Sequence, residues 1–166
     1  YHNAEGRSAS NISIAKATEM SINTAYVQLE ERVGIPAVAD AAKRLGITSI
    51  GEPGTSAYPG KKEGTFTLGV RDVSVTDMAG AYAAVAAHGR WCPPTLVKSV
   101  RLPSGVVINN PVEQRCRQAI DPAVADTAAS VLKGVVDTGT GRPAALPGRP
   151  SAGKTGTGED NGSAWF

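Results

Sequence analysis

The eight residues Ser151-Ala152-Gly153-Lys154-Thr155-Gly156-Thr157-Gly158 bring two threonine hydroxyls, one ammonium and three glycines together. Read as a β-strand, their side chains alternate between faces. Thr155 and Thr157 then share one face, and Lys154 heads the other. Gly153, Gly156 and Gly158 lack a Cβ, so a ligand backbone can come close. A strand edge of this kind suits an anionic, peptide-like ligand. The plainer reading is a Gly-rich strand end with one solvated lysine. A second polar group, Ser21-Ile22-Asn23, offers a hydroxyl and a carboxamide two residues apart. Its plainer reading is a polar cap on the helix that follows.

The elements that must position these groups can be read from caps and periodicity. Ser13 is an N-cap for a short helix to Met20, with Ile14, Ala17 and Thr18 on its inner side. Thr24–Val33 resumes a helical pattern, with Ala25, Leu29 and Val33 at four-residue steps and Tyr26 beside them. Gly34 stops it, and Pro36 suits the first turn of a helix that ends at Gly46. Ser21-Ile22-Asn23 therefore falls at a corner between helices, where two polar side chains can point into a cleft. Gly51–Gly64 reads as loop. Ser74-Val75-Thr76-Asp77 resembles a capping box opening an Ala-rich helix to Ala87, expected as central core. Met78, Tyr82 and His88 read as packing residues.

Thr95–Leu102 alternates as a strand, Pro103-Ser104-Gly105 turns, and Val106–Ile108 returns as a hairpin. Asp121-Pro122 starts a helix to about Val136. Thr138-Gly139-Thr140-Gly141-Arg142 reads as a flexible turn. It imitates a phosphate loop but lacks a following G-K-[ST] and a preceding strand. Glu159–Gly162 reads as a hairpin turn, with Ser163–Phe166 as the return strand. Successive helices beside antiparallel hairpins predict an α+β fold.

The totals narrow the function classes. Hydrophobic residues are 41% and charged residues 19%, which fits a globular chain. Few aromatics leave Val, Ala, Leu and Ile to form the core. The net charge of +2 carries no basic stripe beyond Lys61-Lys62, so nucleic acid is not expected as a partner. His2, His88 and two cysteines lack metal-ligand spacing, and neither a metal nor a cofactor is expected. The sequence has no apolar run of spanning length and no signal peptide. It also lacks an initiator Met and stops at Trp165-Phe166, so it reads as an internal piece of a longer protein.

Lys154-Thr155-Gly156, preceded far upstream by Ser21-Ile22-Asn23, follows the motif order of penicillin-binding proteins and serine β-lactamases. From about Ile14 to Phe166 the chain resembles the later part of the transpeptidase domain of a class A, actinobacterial-type penicillin-binding protein. The ordered context carries the resemblance: Ala17–Leu29, Thr67-Leu68-Gly69 with Val75–Gly89, Val135–Ala144, then Ala152–Phe166. It implies an antiparallel five-stranded sheet flanked by helices, with some strands supplied from outside these residues. An open sheet edge and exposed apolar surface would follow.

The resemblance also implies the chemistry: peptidoglycan D,D-transpeptidation, an acyl transfer from stem peptides ending in D-alanyl-D-alanine, blocked by β-lactams. Ser21 would relay a proton to the leaving amine. Asn23 would hold the substrate amide and help orient nearby lysines. Lys154 would bring positive charge to Ser21 and the substrate carboxylate. Thr155, Gly156 and Thr157 would line the carboxylate site, with the Thr157 N–H as an oxyanion donor. The family works at the extracytoplasmic face of the bacterial membrane, here through an anchor outside this chain.

The nucleophile of the family sits in a Ser-x-x-Lys, tens of residues before Ser-x-Asn. Three such patterns occur here: Ser13–Lys16, Ser130–Lys133 and Ser151–Lys154. Ser13 fits an N-cap, Ser130 lies mid-helix on the wrong side, and Ser151 overlaps the Lys-Thr-Gly strand. The true nucleophile is expected outside the chain, as are the last strands of the domain. The rival readings are a serine β-lactamase, a D,D-carboxypeptidase, and a non-catalytic sensor or scaffold of the same fold. A β-lactamase needs a deacylating base, and Gly51-Glu52-Pro53 only loosely resembles that loop. Finally, Cys92 and Cys116 flank the hairpin and in an extracytoplasmic protein could pair.

Overall fold

A computed structural model of the chain describes residues 2–3, 10–60, 63–109, 115–158 and 164–166. The Lys61-Lys62 pair and the expected turn at 159–162 lie outside them. The chain divides into two compact units. One comprises Tyr1–Val38, Gly60–Val70 and Thr127–Phe166, and the other Ala39–Pro59 and Arg71–Asp126.

The first unit opens with α1 (Ile14–Glu19) and α2 (Asn23–Val33). Ser13 caps α1 as expected, its Oγ accepting the Lys16 N–H at 3.1 Å. Ala17 and Thr18 are buried, whereas Ile14 is exposed. On α2 the expected stripe is rotated. Val27 and Glu30 are buried, Ala25, Tyr26 and Leu29 are half-buried, and Val33 is exposed. The 3₁₀ turn Phe66–Leu68 packs against α2, and the Thr67 N–H reaches Glu30 at 3.4 Å, so this neighbour selects the inner side. The same unit holds the later part of α5 (Pro122–Asp137), whose Val135 and Val136 are buried.

The second unit contains most of α3 (Ile35–Arg44) and all of α4 (Val75–Ala86). Gly46 ends α3 in the left-handed region at φ 94°. A Cβ there would lie 2.2 Å from the Trp91 indole nitrogen. Ser74 caps α4 through the Asp77 N–H at 3.0 Å. The capping box is only half made, because the Asp77 carboxylate accepts instead from the Thr48 N–H and hydroxyl at 2.9 and 2.6 Å. Those Thr48 bonds, the hydroxyl's first, hold the Asp77 carboxyl below its ordinary value despite partial desolvation. Only Ala81 and Ala84 of α4 are buried, so this helix is not the central core expected from its composition. The second unit also includes the start of α5, where Pro122 follows Asp121 and the Asp121 carboxylate accepts the Ala123 N–H at 2.8 Å.

The strands depart furthest from expectation. Among the described residues they pair only in twos, all antiparallel: β1 (Arg90–Trp91) with β4 (Arg117–Gln118), β2 (Ser99–Arg101) with β3 (Val107–Asn109), and β5 (Gly156–Thr157) with β6 (Ala164–Trp165). The β2–β3 hairpin turns at Gly105, φ 87°, as its sequence predicts, but it is shorter and exposed on both faces. β1 and β4 were not legible, since two residues carry no period. They are stapled by a Cys92–Cys116 disulfide, and the Arg117 guanidinium lies 4.7 Å over the Trp91 ring. The buried apolar residues are Ala, Ile and Val; no leucine is buried among the described residues.

Candidate active site

The corner between α1 and α2 is built by backbone hydrogen bonds. The Ile22 N–H reaches back to the Ala17 carbonyl at 2.9 Å, and the Ser21 N–H to Thr18 at 3.1 Å. This double closure requires a left-handed residue just past the helix, a position that glycine usually fills. Here Ser21 takes it, at φ 55°. Ile22, 1% exposed, and Ala17, 2% exposed, pin the corner to the core. The direction of the Ser21 Cα–Cβ bond is thereby set by backbone geometry.

Lys154 meets it from the other end of the sequence. Its Nζ donates to Ser21 Oγ at 2.8 Å and to the Thr155 carbonyl at 2.8 Å, with Thr155 Oγ1 at 3.4 Å. The strand predicted over 151–158 is reduced to β5, because a ladder forms only where a partner lies alongside. Lys154 and Thr155 lie outside that ladder. Their functional groups sit together rather than on opposite faces. Gly153 also serves another purpose than predicted. It is buried, and a Cβ there would meet the Phe166 ring at 2.8 Å, so its bareness accommodates an aromatic side chain. Gly156 and Thr157 are exposed in β5, opposite Trp165 and Ala164. Asn23 opens α2, and its amide donates to the His2 carbonyl at 3.2 Å. Among the described residues, its side-chain hydrogen bond goes to His2 and not to Ser21 or Lys154.

An ammonium can only donate, so Ser21 Oγ must accept from Lys154. The Ser21 hydrogen is then left to donate to a third party. Lys154 and Thr155 offer a positive charge and a hydroxyl at one spot, which is what a carboxylate needs. The three Ser-x-x-Lys lysines lead elsewhere: Lys16 to Glu19 at 2.9 Å, Lys133 to Asp137, and Lys154 to Ser21. Glu19 is held below its ordinary carboxylate value, first by the Lys16 hydrogen bond, against desolvation, which is next in size, with that lysine's charge and the Thr138 hydroxyl adding to the lowering. Among the described residues no cluster of three His, Cys, Asp or Glu is placed to hold a metal ion. Nor is any helix among them long and apolar enough to cross a membrane.

Sequence reasoning missed Thr140. Its hydroxyl lies 2.7 Å from that of Thr155. The signal was present in the flanking Gly139 and Gly141, which allow close backbone approach.

Residues 1–164 match the model of the penicillin binding protein transpeptidase domain. The chain is 36% identical to penicillin-binding protein 1A of Mycobacterium tuberculosis over 93% of its length, and 35% identical to that of Mycolicibacterium smegmatis over 99%. It spans only 20% and 22% of those relatives. Among solved structures, PonA1 from M. tuberculosis superposes with a TM-score of 0.81 at 34% identity, covering 96% of this chain and 43% of that one. The D,D-transpeptidase domain from Eggerthella lenta gives 0.74 at 26% identity, covering 98% and 45%. The chain belongs to the penicillin-binding protein transpeptidase family, and its fold is the one that family shares.

Proposed function

We propose that this chain forms the proton-relay and carboxylate-binding side of the active site of a serine-type peptidoglycan D,D-transpeptidase. One observation carries the reading: the Lys154 ammonium lies 2.8 Å from Ser21 Oγ, with the Thr155 hydroxyl beside it. The substrate is a stem peptide ending in D-alanyl-D-alanine, and β-lactams occupy the same place. A serine outside these 166 residues attacks the penultimate carbonyl, its proton passing to the lysine of its own Ser-x-x-Lys, and the peptide bond to the terminal D-alanine breaks. Ser21 gives its hydroxyl proton to the departing D-alanine amine and draws one back from the Lys154 ammonium. Thr155 and Thr157 receive the terminal carboxylate, and the Thr157 N–H is one oxyanion donor. Asn23 turns to the substrate amide once the ligand competes for its contact with His2. The enzyme works at the extracytoplasmic face of the membrane, held by a segment outside the chain.

Placing the nucleophile elsewhere is supported by the fates of the local candidates. Ser13 is spent on capping α1, and the lysines paired in sequence with Ser13 and Ser130 are engaged by Glu19 and Asp137. The test is mass spectrometry of the full-length protein after reaction with benzylpenicillin. The acyl adduct is expected on a Ser-x-x-Lys serine outside residues 1–166, with none on the isolated chain. An adduct on Ser13, Ser130 or Ser151 overturns this placement. The absence of any adduct favours a non-catalytic sensor or scaffold.

A further inference from the structure

The sequence of Thr138-Gly139-Thr140-Gly141 predicts a flexible turn, and the reaction described above makes no use of it. Its geometry is specific. The Thr140 N–H donates to the Glu19 carbonyl at 3.0 Å, one residue before the turn that ends in Ser21. The Thr140 hydroxyl lies 2.7 Å from Thr155 Oγ1 in a half-buried position. Gly139 permits this approach, since a Cβ there would sit 2.4 Å from the Glu19 carbonyl oxygen. Gly134, one turn earlier on α5, likewise leaves room for the Glu19 side chain, whose Oε1 would lie 2.9 Å from a Cβ at that position. The Gly141 N–H returns to the Val135 carbonyl at 2.9 Å, which fixes the loop to the buried end of α5.

These contacts close a ring. From Ser21 it runs to Lys154, to Thr155, to Thr140, to Glu19, and back along the backbone through Met20. We propose that Thr140 is a positioning residue that sets the direction of the Thr155 hydroxyl proton and thereby the preference of the site for a free carboxylate. The assignment rests on the transpeptidase reading above, in which Thr155 receives the carboxylate. A hydroxyl has one hydrogen and two lone pairs. Either hydroxyl can donate in the Thr140–Thr155 pair; with the Thr140 hydrogen directed onto Thr155 Oγ1 and the Lys154 ammonium 3.4 Å from the same oxygen, both of its lone pairs are taken. Its own hydrogen then points outward, where an anion can take it. Without Thr140, Thr155 is free to turn its hydrogen inward, toward its own backbone, and the anion loses an aligned donor. The same link ties the Ser21 corner to the Lys154 segment through Glu19, so the two halves of the site keep their spacing.

The experiment compares benzylpenicillin with its carboxylate methyl ester on the full-length protein, measuring second-order acylation rates for wild type, Thr140→Val, Thr140→Ser and Thr155→Val. The readout is the ratio of acid to ester rates. Loss of one aligned hydrogen bond to a charged group lowers a rate by about tenfold. Thr140→Val is expected to reduce the ratio by that factor, and Thr140→Ser to restore it. A Thr140→Val variant that slows both ligands equally overturns the proposal, because a merely structural defect does not sense the carboxylate. An unchanged ratio in Thr140→Val beside a reduced one in Thr155→Val also overturns it, while leaving the carboxylate role of Thr155 standing. An unchanged ratio in Thr155→Val removes the underlying reading and the proposal with it.

Discussion

Ser21 occupies a backbone position that favours glycine, at φ 55°. Non-glycine residues in this region cost on the order of 1 kcal/mol or more, and such costs gather at functional sites. A side chain is kept there despite the cost, in keeping with a hydroxyl that is needed. Ser21→Gly in the full-length protein should therefore leave the fold intact or stabilise it by about 1 kcal/mol. The same change should slow acylation about a hundredfold, the scale of a lost proton-transfer group. Thermal melting and penicillin acylation rates together check this, and a lower melting point with full activity would contradict it. Glu30 is the second residue whose chemistry is exposed by its surroundings. It is 2% exposed, its Oε1 has no hydrogen-bond partner among the described residues, and Oε2 receives a long N–H bond from Thr67. Burial raises its pKa, and the nearby charge of Glu63 adds to this against the Thr67 bond. The folded state therefore holds a proton that the unfolded chain releases first. Stability is fullest below the ordinary carboxylate value and falls as pH rises through the raised one. A Glu30→Gln variant lacks this fall. Its thermal midpoint should gain on wild type progressively from about pH 4 to pH 7; a constant difference would count against the assignment.

The helices were legible because their boundaries are local chemistry. Ser13, Ser74 and Asp121 each cap through their own oxygen, and Gly46 ends α3 in the left-handed conformation its place predicts. The inner face of α2 was not legible, because the Phe66–Leu68 turn that chooses it lies far along the chain. Strands of two residues carry no alternation to read. The meeting of Ser21 with Lys154 could be anticipated only through family resemblance, since nothing local links residues 133 apart. Element ends also give a graded test of the packing. Gly46 and Gly105 both have positive φ, but a Cβ meets the Trp91 ring only at Gly46 and open space at Gly105. Gly105→Ala should cost about 1 kcal/mol, the backbone component alone. Gly46→Ala should cost roughly 1–3 kcal/mol more, because the indole must move. Equal losses in thermal stability would show that the Trp91 contact is not rigid.

The whole chain spans about a fifth of the length of the curated relatives reported above. It exposes several large apolar side chains. Leu96 is 95% exposed and Val75 69%, and Val97, Val106 and Ile108 on or beside the β2–β3 hairpin exceed half. An isolated two-stranded hairpin is at best marginally stable in water. The 166 residues expressed alone should therefore be aggregation-prone or molten, and a sharp, reversible melting transition would refute this. The Cys92–Cys116 link closes a separation of 24 residues. Its reduction in the full-length protein should cost about 3 kcal/mol and lower the melting point accordingly. Two free thiols in secreted material would remove the basis for that figure.

A double-mutant cycle tests directly whether Ser21 and Lys154 act as one proton-handling unit. Acylation of the full-length protein by benzylpenicillin is compared for Ser21→Ala, Lys154→Ala and both together. Groups that act as a unit are strongly non-additive, so the double variant should be no slower than the slower single one. Losses that multiply would mean that the two side chains work independently, and that their 2.8 Å contact is not the relay.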